Sequence, residues 1–136
     1  MGLDVTERDT RVIQSSEDIV AVRQTVRMWA IKLGFSLIDQ TKIVTAASDL
    51  ARNTVDHAGG GTMSLETLED GRSCGLRVTF EDKGPGIEDV ELALKDGYTT
   101  GTGLGLGLGG AKRLSNEFEI ISHPGEGTRV SIVRWP

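Results

Sequence analysis

The sequence has little of what would cross-link a small secreted protein or hold a protein in a membrane. Its one cysteine, Cys74, excludes an internal disulfide. No apolar run approaches the ~20 residues that a membrane span needs. The N-terminus is charged and lacks the apolar stretch of a signal peptide. We therefore expect a cytoplasmic protein with no membrane partner.

Aromatic residues are also scarce, at 4% of the chain, so the core must rest on Val, Ile, Leu and Ala. Acidic residues outnumber basic ones, 20 to 15, so the net charge is −5. This argues against a nucleic-acid partner, which usually needs a basic face. The chain has 136 residues, 38% of them hydrophobic, and shows neither a linker nor a repeat. We expect residues 1–136 to form one domain.

The hydrophobic period changes along the chain. A helical period predicts helices over residues 16–33, 37–57, 90–94 and 108–116. Alternating apolar residues predict strands over residues 11–15, 62–68, 74–80, 118–122 and 128–134. Because the helices are grouped between hairpins and do not alternate with single strands, we expect an α+β two-layer sandwich.

The most unusual segment is GTGLGLGLGG at residues 101–110, in which six of ten residues are glycine. No Gly-Lys pair followed by Ser or Thr is present, so it is not a P-loop. A dinucleotide-type spacing occurs at Gly105, Gly107 and Gly110, but polar residues precede it where a strand is needed. The alternating leucines argue against a plain linker. They favour a backbone that is docked to the core and offers amide groups to phosphate.

Two further segments are weak signals when taken alone. Asp49 and Asn53 lie four residues apart on the second predicted helix and so share a face, which could be only a solvated one. DKGPG at residues 82–86 follows an apolar strand and could be only a turn. The order and spacing of the three segments together are specific.

With these three segments, the chain resembles the GHKL ATPase superfamily, and in particular its stand-alone anti-sigma-factor serine/threonine kinases. DLARNTVDH at residues 49–57 resembles the N box, DKGPG the G1 box, and GTGLGLGLG at residues 101–109 the G2 box. The resemblance covers nearly the whole chain. It implies the Bergerat fold, with a mixed, mostly antiparallel sheet covered on one face by helices. It also implies ATP and Mg²⁺ as cofactors.

The resemblance implies a role for particular residues. Asp82 would accept a hydrogen bond from the adenine amino group, where guanine would leave the acid unpaired. Thr128 would reach the same edge of the base, and Asn53 would hold the Mg²⁺ ion. The remaining nucleotide contacts would come from backbone that approaches the ligand closely, at Gly84, Gly86, Gly101, Thr102, Gly103, Leu104, Gly105, Leu106, Gly107 and Leu108.

Asp49 would be the catalytic base, and Arg52 would stabilise phosphate charge or pair with a partner. Most family members carry Glu at the position of Asp49. Asp is shorter by ~1.5 Å, and a misplacement of about 1 Å can cost ~100-fold in rate. This departure places catalytic strength in question, but not nucleotide binding.

The resemblance implies a kinase that phosphorylates a STAS-domain antagonist protein and also binds a downstream partner such as a PP2C-type phosphatase. Two alternatives stay open. One is a nucleotide-gated binding module with little or no kinase activity, and the other is an anti-sigma factor that binds a sigma factor directly.

Overall fold

The chain builds one sheet from strands that lie far apart in the sequence. The computed structural model describes residues 4–94 and 108–136. The strands are β1 (Asp4–Ile13), β2 (Gly61–Glu69), β3 (Cys74–Asp82), β4 (Glu117–His123) and β5 (Gly127–Arg134). Their order in the sheet is β1-β2-β3-β5-β4, and each neighbouring pair is antiparallel. The expected α+β sandwich is confirmed.

Helices of two kinds accompany this sheet. Two long ones, α1 (Ser16–Lys32) and α2 (Leu37–Ala58), form an antiparallel hairpin, whereas α3 (Val90–Ala93) and α4 (Leu108–Arg113) are short. The Ser36 hydroxyl accepts a hydrogen bond from Asp39 N at 3.1 Å and so caps α2. The left-handed Gly59 ends that helix. The ends of α2 are thus set locally by the sequence.

The core lies between the helices and one face of the sheet. Alternate residues of β3, Leu76, Val78 and Phe80, point into it, as do Ile43 and Leu50 of α2. Fully burying a side chain of this size contributes about 1.5–3 kcal/mol. Because the core uses this face, the neighbouring polar residues of each strand lie on the opposite face.

Two element boundaries differ by more than two residues from those predicted. The first strand begins at Asp4, not at residue 11, because its polar residues pair with β2 along the sheet edge, where Arg8 binds Glu66. The predicted helix over 108–116 ends at Arg113, since Asn116 N donates to Val133 O at 2.8 Å and turns the chain into the sheet. None of the helices in residues 4–94 and 108–136 is long and apolar enough to span a membrane.

Candidate functional site

Helix α2 carries the first part of the site on the face that it turns toward the sheet. Leu50, Asn53, Thr54 and His57 recur at intervals of three and four residues, so they form one stripe. Thr54 is buried and donates its hydroxyl to Leu50 O at 3.0 Å. The stripe therefore presents the side chains of Asn53 and His57 beside an otherwise apolar surface.

The second part is the end of β3 and the loop that follows it. Asp82 is the last residue of β3, and one of its carboxylate oxygens accepts a hydrogen bond from Gly84 N at 2.9 Å. A Cβ at Gly84 would lie 2.5 Å from Ala58 Cβ, so the loop packs against the end of α2. His57 Nε2 lies 3.2 Å from Gly86 O and joins the same two elements.

The third part is the start of β5. Thr128 lies directly opposite Asp82 in the antiparallel ladder between β3 and β5. The preceding Gly127 has a φ of +102°, and a Cβ there would lie 2.1 Å from Asp82 O. Glycine is therefore required at 127 for the two strands to approach this closely.

These parts enclose one pocket, together with the first residue of α4. Its walls are mostly apolar, and polar groups converge at a few points. The lining residues are Leu50, Asn53, Thr54, His57, Phe80, Asp82, Ile87, Leu108, Thr128 and Val130. A concave, largely apolar pocket with a few oriented polar groups is the usual form of a small-molecule site.

The structure brings together many of the residues that the sequence singled out. Asn53, Asp82, Leu108 and Thr128 come from four separate segments and line the same pocket. Gly84 and Gly86 lie in the loop beside it. The other predicted nucleotide-binding residues lie outside the described part of the chain, and they are Gly101, Thr102, Gly103, Leu104, Gly105, Leu106 and Gly107.

Asp49 and Arg52, the two expected catalytic residues, are not among the described residues that line this pocket. Asp49 is half-buried and lies one helical turn before Asn53. Burial raises the pKa of the Asp49 carboxyl, while the nearby charges of Arg52 and Arg23 act in the opposite direction. A carboxylate with a raised pKa is a better proton acceptor, which suits a general base.

Sequence reasoning missed three residues at the site. No role was assigned to His57, although its spacing of four from Asn53 places it on the same face. No role was assigned to Ile87 either, but it is buried in the pocket wall. Arg23 lies on α1 and donates Nε to Ser48 Oγ at 2.8 Å, beside Asp49. No local motif marks Arg23, because the contact depends on how α1 packs against α2.

Asn53 has a further property. Its side-chain Nδ2 is buried and has no hydrogen-bond partner among the described residues. A buried amide group without a partner costs roughly 1–3 kcal/mol, so such groups are rare unless a ligand completes them. A half-turn of the side-chain amide exchanges the positions of its oxygen and nitrogen. The oxygen can then face a cation, or the nitrogen can face an anion. The unpartnered amide of Asn53 therefore fits a contact with a bound cation or anion.

The chain is similar to known proteins over most of its length. It is 46% identical to the serine/threonine-protein kinase RsbT of Bacillus subtilis over 123 residues, covering 90% of this chain and 92% of that protein. It is 28% identical to an anti-sigma F factor of a Thermoanaerobacter species over 128 residues, covering 90% of this chain and 89% of that protein.

The fold also matches a solved structure. A crystal structure of the RsbU and RsbW domains of a Mycobacterium tuberculosis protein aligns with a TM-score of 0.67 and 21% identity, covering 96% of this chain and 33% of that one. Residues 38–136 match the family described as histidine kinase-, DNA gyrase B- and HSP90-like ATPases, a family that implies the use of ATP. The resemblance drawn from the three sequence motifs is confirmed, and the chain belongs to this ATPase family.

Proposed function

We propose that this chain is an ATP-dependent protein serine/threonine kinase of the RsbT type. It would act in the cytoplasm on a serine or threonine of a STAS-domain antagonist protein, and would then bind a second regulator such as a PP2C-type phosphatase. The observation that carries the proposal is the convergence of Asn53, Asp82, Leu108 and Thr128 on one pocket. The similarity to RsbT supports the choice of activity.

At the base end of the pocket, the Asp82 carboxylate would accept a hydrogen bond from the adenine amino group. Its other contact, from Gly84 N, holds the carboxylate in place before the nucleotide arrives. Apolar side chains of Leu50, Ile87 and Val130 provide walls for a flat ring. A base with a carbonyl at the same position would leave the half-buried Asp82 carboxylate without that partner, so adenine is favoured.

At the phosphate end, Asn53 would hold Mg²⁺ through its side-chain oxygen. When bound, the ion neutralises phosphate charge. Leu108 begins α4, and backbone amides from residue 101 to residue 108 would bind the phosphates. The unpartnered amide of Asn53 supports a ligand contact at this residue.

Asp49 would act on the substrate hydroxyl. As the hydroxyl oxygen attacks the γ-phosphorus, its proton passes to an Asp49 carboxylate oxygen, and the bond to the β–γ bridging oxygen breaks to release ADP. The raised pKa of Asp49 favours this proton transfer. Arg52 lies one helical turn after Ser48, on the same helix as Asp49. Its positive charge would stabilise the negative charge that develops on the phosphates.

The test of the proposed site is Asn53→Ala in calorimetry with Mg²⁺-ATP. We expect loss of measurable binding, with Asn116→Ala as the matched control, because Asn116 is exposed at the start of β4 and uses its Oδ1 to bind Trp135 N. Unchanged ATP affinity in the Asn53 variant would show that this residue does not hold the nucleotide.

A nucleotide-gated binding module is the second candidate function. It is favoured by the shorter side chain at position 49 and by the location of Asp49 outside the pocket lining. Labelled ATP and a STAS-domain protein separate the two functions. Transfer of label to a serine or threonine supports the kinase, and nucleotide-dependent binding without transfer supports the module. Direct binding to a sigma factor would instead support an anti-sigma role.

A further inference from the structure

One peptide group of the loop after β3 is bonded at both of its polar ends. Gly86 O lies 3.2 Å from His57 Nε2, and Ile87 N donates to Ser122 Oγ at 2.8 Å. The carbonyl of Gly86 and the N–H of Ile87 belong to the same planar peptide unit and point in opposite directions across it. Helix α2 therefore holds this unit from one side, and strand β4 holds it from the other.

The chemistry of the two contacts determines the donor in each. A backbone carbonyl can only accept, so His57 Nε2 carries the proton that it donates to Gly86 O. A backbone N–H can only donate, so the Ser122 oxygen accepts from Ile87 N. Neither assignment depends on how Ser122 shares its own proton with Thr128. In a neutral His57 ring, Nδ1 is then the nitrogen without a proton.

The bonded peptide unit fixes part of the pocket wall. Ile87 is 6% exposed and lines the pocket, as does Asp82 at the other end of the same loop. Between them, Gly84 and Gly86 have a wider choice of backbone conformation than other residues would have. The loop therefore depends on bonds from neighbouring elements to keep Ile87 in the wall.

We propose that His57 is a positioning residue for the base of the nucleotide, which donates Nε2–H to Gly86 O and so orients the peptide unit that places Ile87 in the wall. His57 shares a face of α2 with Asn53, four residues before it. One helix thus sets the distance between the proposed Mg²⁺ ligand and the loop at the proposed base end. This inference rests on the proposed function as an ATP-binding kinase.

The experiment replaces His57 by two amides of different length and measures Kd for Mg²⁺-ADP and for adenosine by calorimetry. The Gln amide nitrogen reaches the position of Nε2, whereas the Asn amide nitrogen reaches only that of Nδ1. Without the donor, the loop adopts other conformations, and the apparent Kd rises as the competent fraction falls. His57→Asn should therefore weaken both ligands by about threefold to tenfold, the range of one net hydrogen bond. His57→Gln restores the donor and should bind both within about twofold of the unmodified protein.

His123→Asn is the matched control. His123 is the other histidine of the chain, is exposed at the end of β4, and is not among the described residues that line the pocket. Both ligands should bind this variant normally. Equal weakening in His57→Asn and His57→Gln would mean that the ring itself or Nδ1 matters, and would overturn the proposal. Normal affinity in a folded His57→Asn protein of lower unfolding free energy would mean that the bond serves only the fold, and would overturn it as well.

A second measurement keeps the proposal testable if His57→Asn does not fold. Long-range proton–nitrogen NMR spectra show which nitrogen of a neutral imidazole carries the proton, and His57→Gln identifies the signals of His57 by their loss. In mildly alkaline solution the proton should be on Nε2, and a proton on Nδ1 would overturn the proposal. If the unmodified protein binds neither ligand, the proposed ATP-binding function fails, and the role of His57 fails with it. Failure of the His57 proposal alone leaves the affinity of the unmodified protein intact.

Discussion

Replacement of Gly86 by alanine should damage both the fold and the proposed nucleotide pocket. Gly86 has a φ of +78°, and an added Cβ would lie 2.3 Å from His123 O and 2.8 Å from His123 C. The left-handed conformation costs an L-residue roughly 1–2 kcal/mol. The contact is with backbone, which cannot rotate away, and overpacking of this kind adds about 1–3 kcal/mol. We expect Gly86→Ala to lose about 2–5 kcal/mol of unfolding free energy.

Gly34→Ala separates the cost of the left-handed conformation from the cost of the steric clash. Gly34 joins α1 to α2 with nearly the same φ, +82°, but an added Cβ meets nothing within 4 Å. It should lose only the conformational part, about 1–2 kcal/mol. Urea unfolding followed by circular dichroism gives both values, provided that the m-value stays unchanged. Equal losses in the two variants would refute the steric argument.

The same pair of variants tests the pocket. Gly86 is followed by Ile87, a wall of the pocket, and Gly86 O faces His57 Nε2. Displacement of this loop in Gly86→Ala should weaken ADP binding by about tenfold or more, the equivalent of one lost hydrogen bond. Gly34→Ala should bind ADP normally. Normal ADP affinity in a folded Gly86→Ala protein would show that this loop does not shape the site.

Three further outcomes are expected. Asp49→Asn should reduce phosphoryl transfer by roughly 10²–10⁴-fold and leave ADP affinity unchanged, as measured with labelled ATP. Arg52→Gln removes a charge that lowers the pKa of Asp49, so the acid limb of the pH–rate profile should move to higher pH. Glu66→Gln should cost about 1–3 kcal/mol at pH 7, because hydrogen bonds from Arg77 and Arg8 lower the pKa of Glu66. That difference should vanish in acid unfolding curves as the pH falls below 4.5, through the lowered pKa of Glu66.

The sequence predicted the elements whose pattern is set locally. Helix α2 has a cap at Ser36, an apolar period and a glycine end, so its limits were correct within one residue. The hairpin of β2 and β3 alternates clearly for the same reason. Strand β1 was largely missed because its polar residues are held by partners on β2, such as Glu66 for Arg8, which appear only after pairing.

The site could be predicted only in part, for a related reason. Asn53, Asp82 and Thr128 stand in motifs whose residue types suggest their chemistry. Arg23 and Ser122 stand in no motif, and they reach the site through the packing of α1 on α2 and the pairing of β4 with β5. A residue that acts through a neighbour needs no fixed distance in the sequence from the other site residues, so no sequence motif marks it.

Hydrogen bonds hold the proposed base end of the pocket from several directions. The loop after Asp82 is bonded to β4 through Ser122 and to the following turn by Gly125 N, which donates to Pro85 O at 2.7 Å. On the other side, His57 connects the loop to α2. A loop fixed at three points costs little entropy to order when a ligand binds. Affinity for the base should therefore survive changes in the phosphate chain, and adenosine should compete with ADP at this pocket, since its recognition depends on bonds that are already in place.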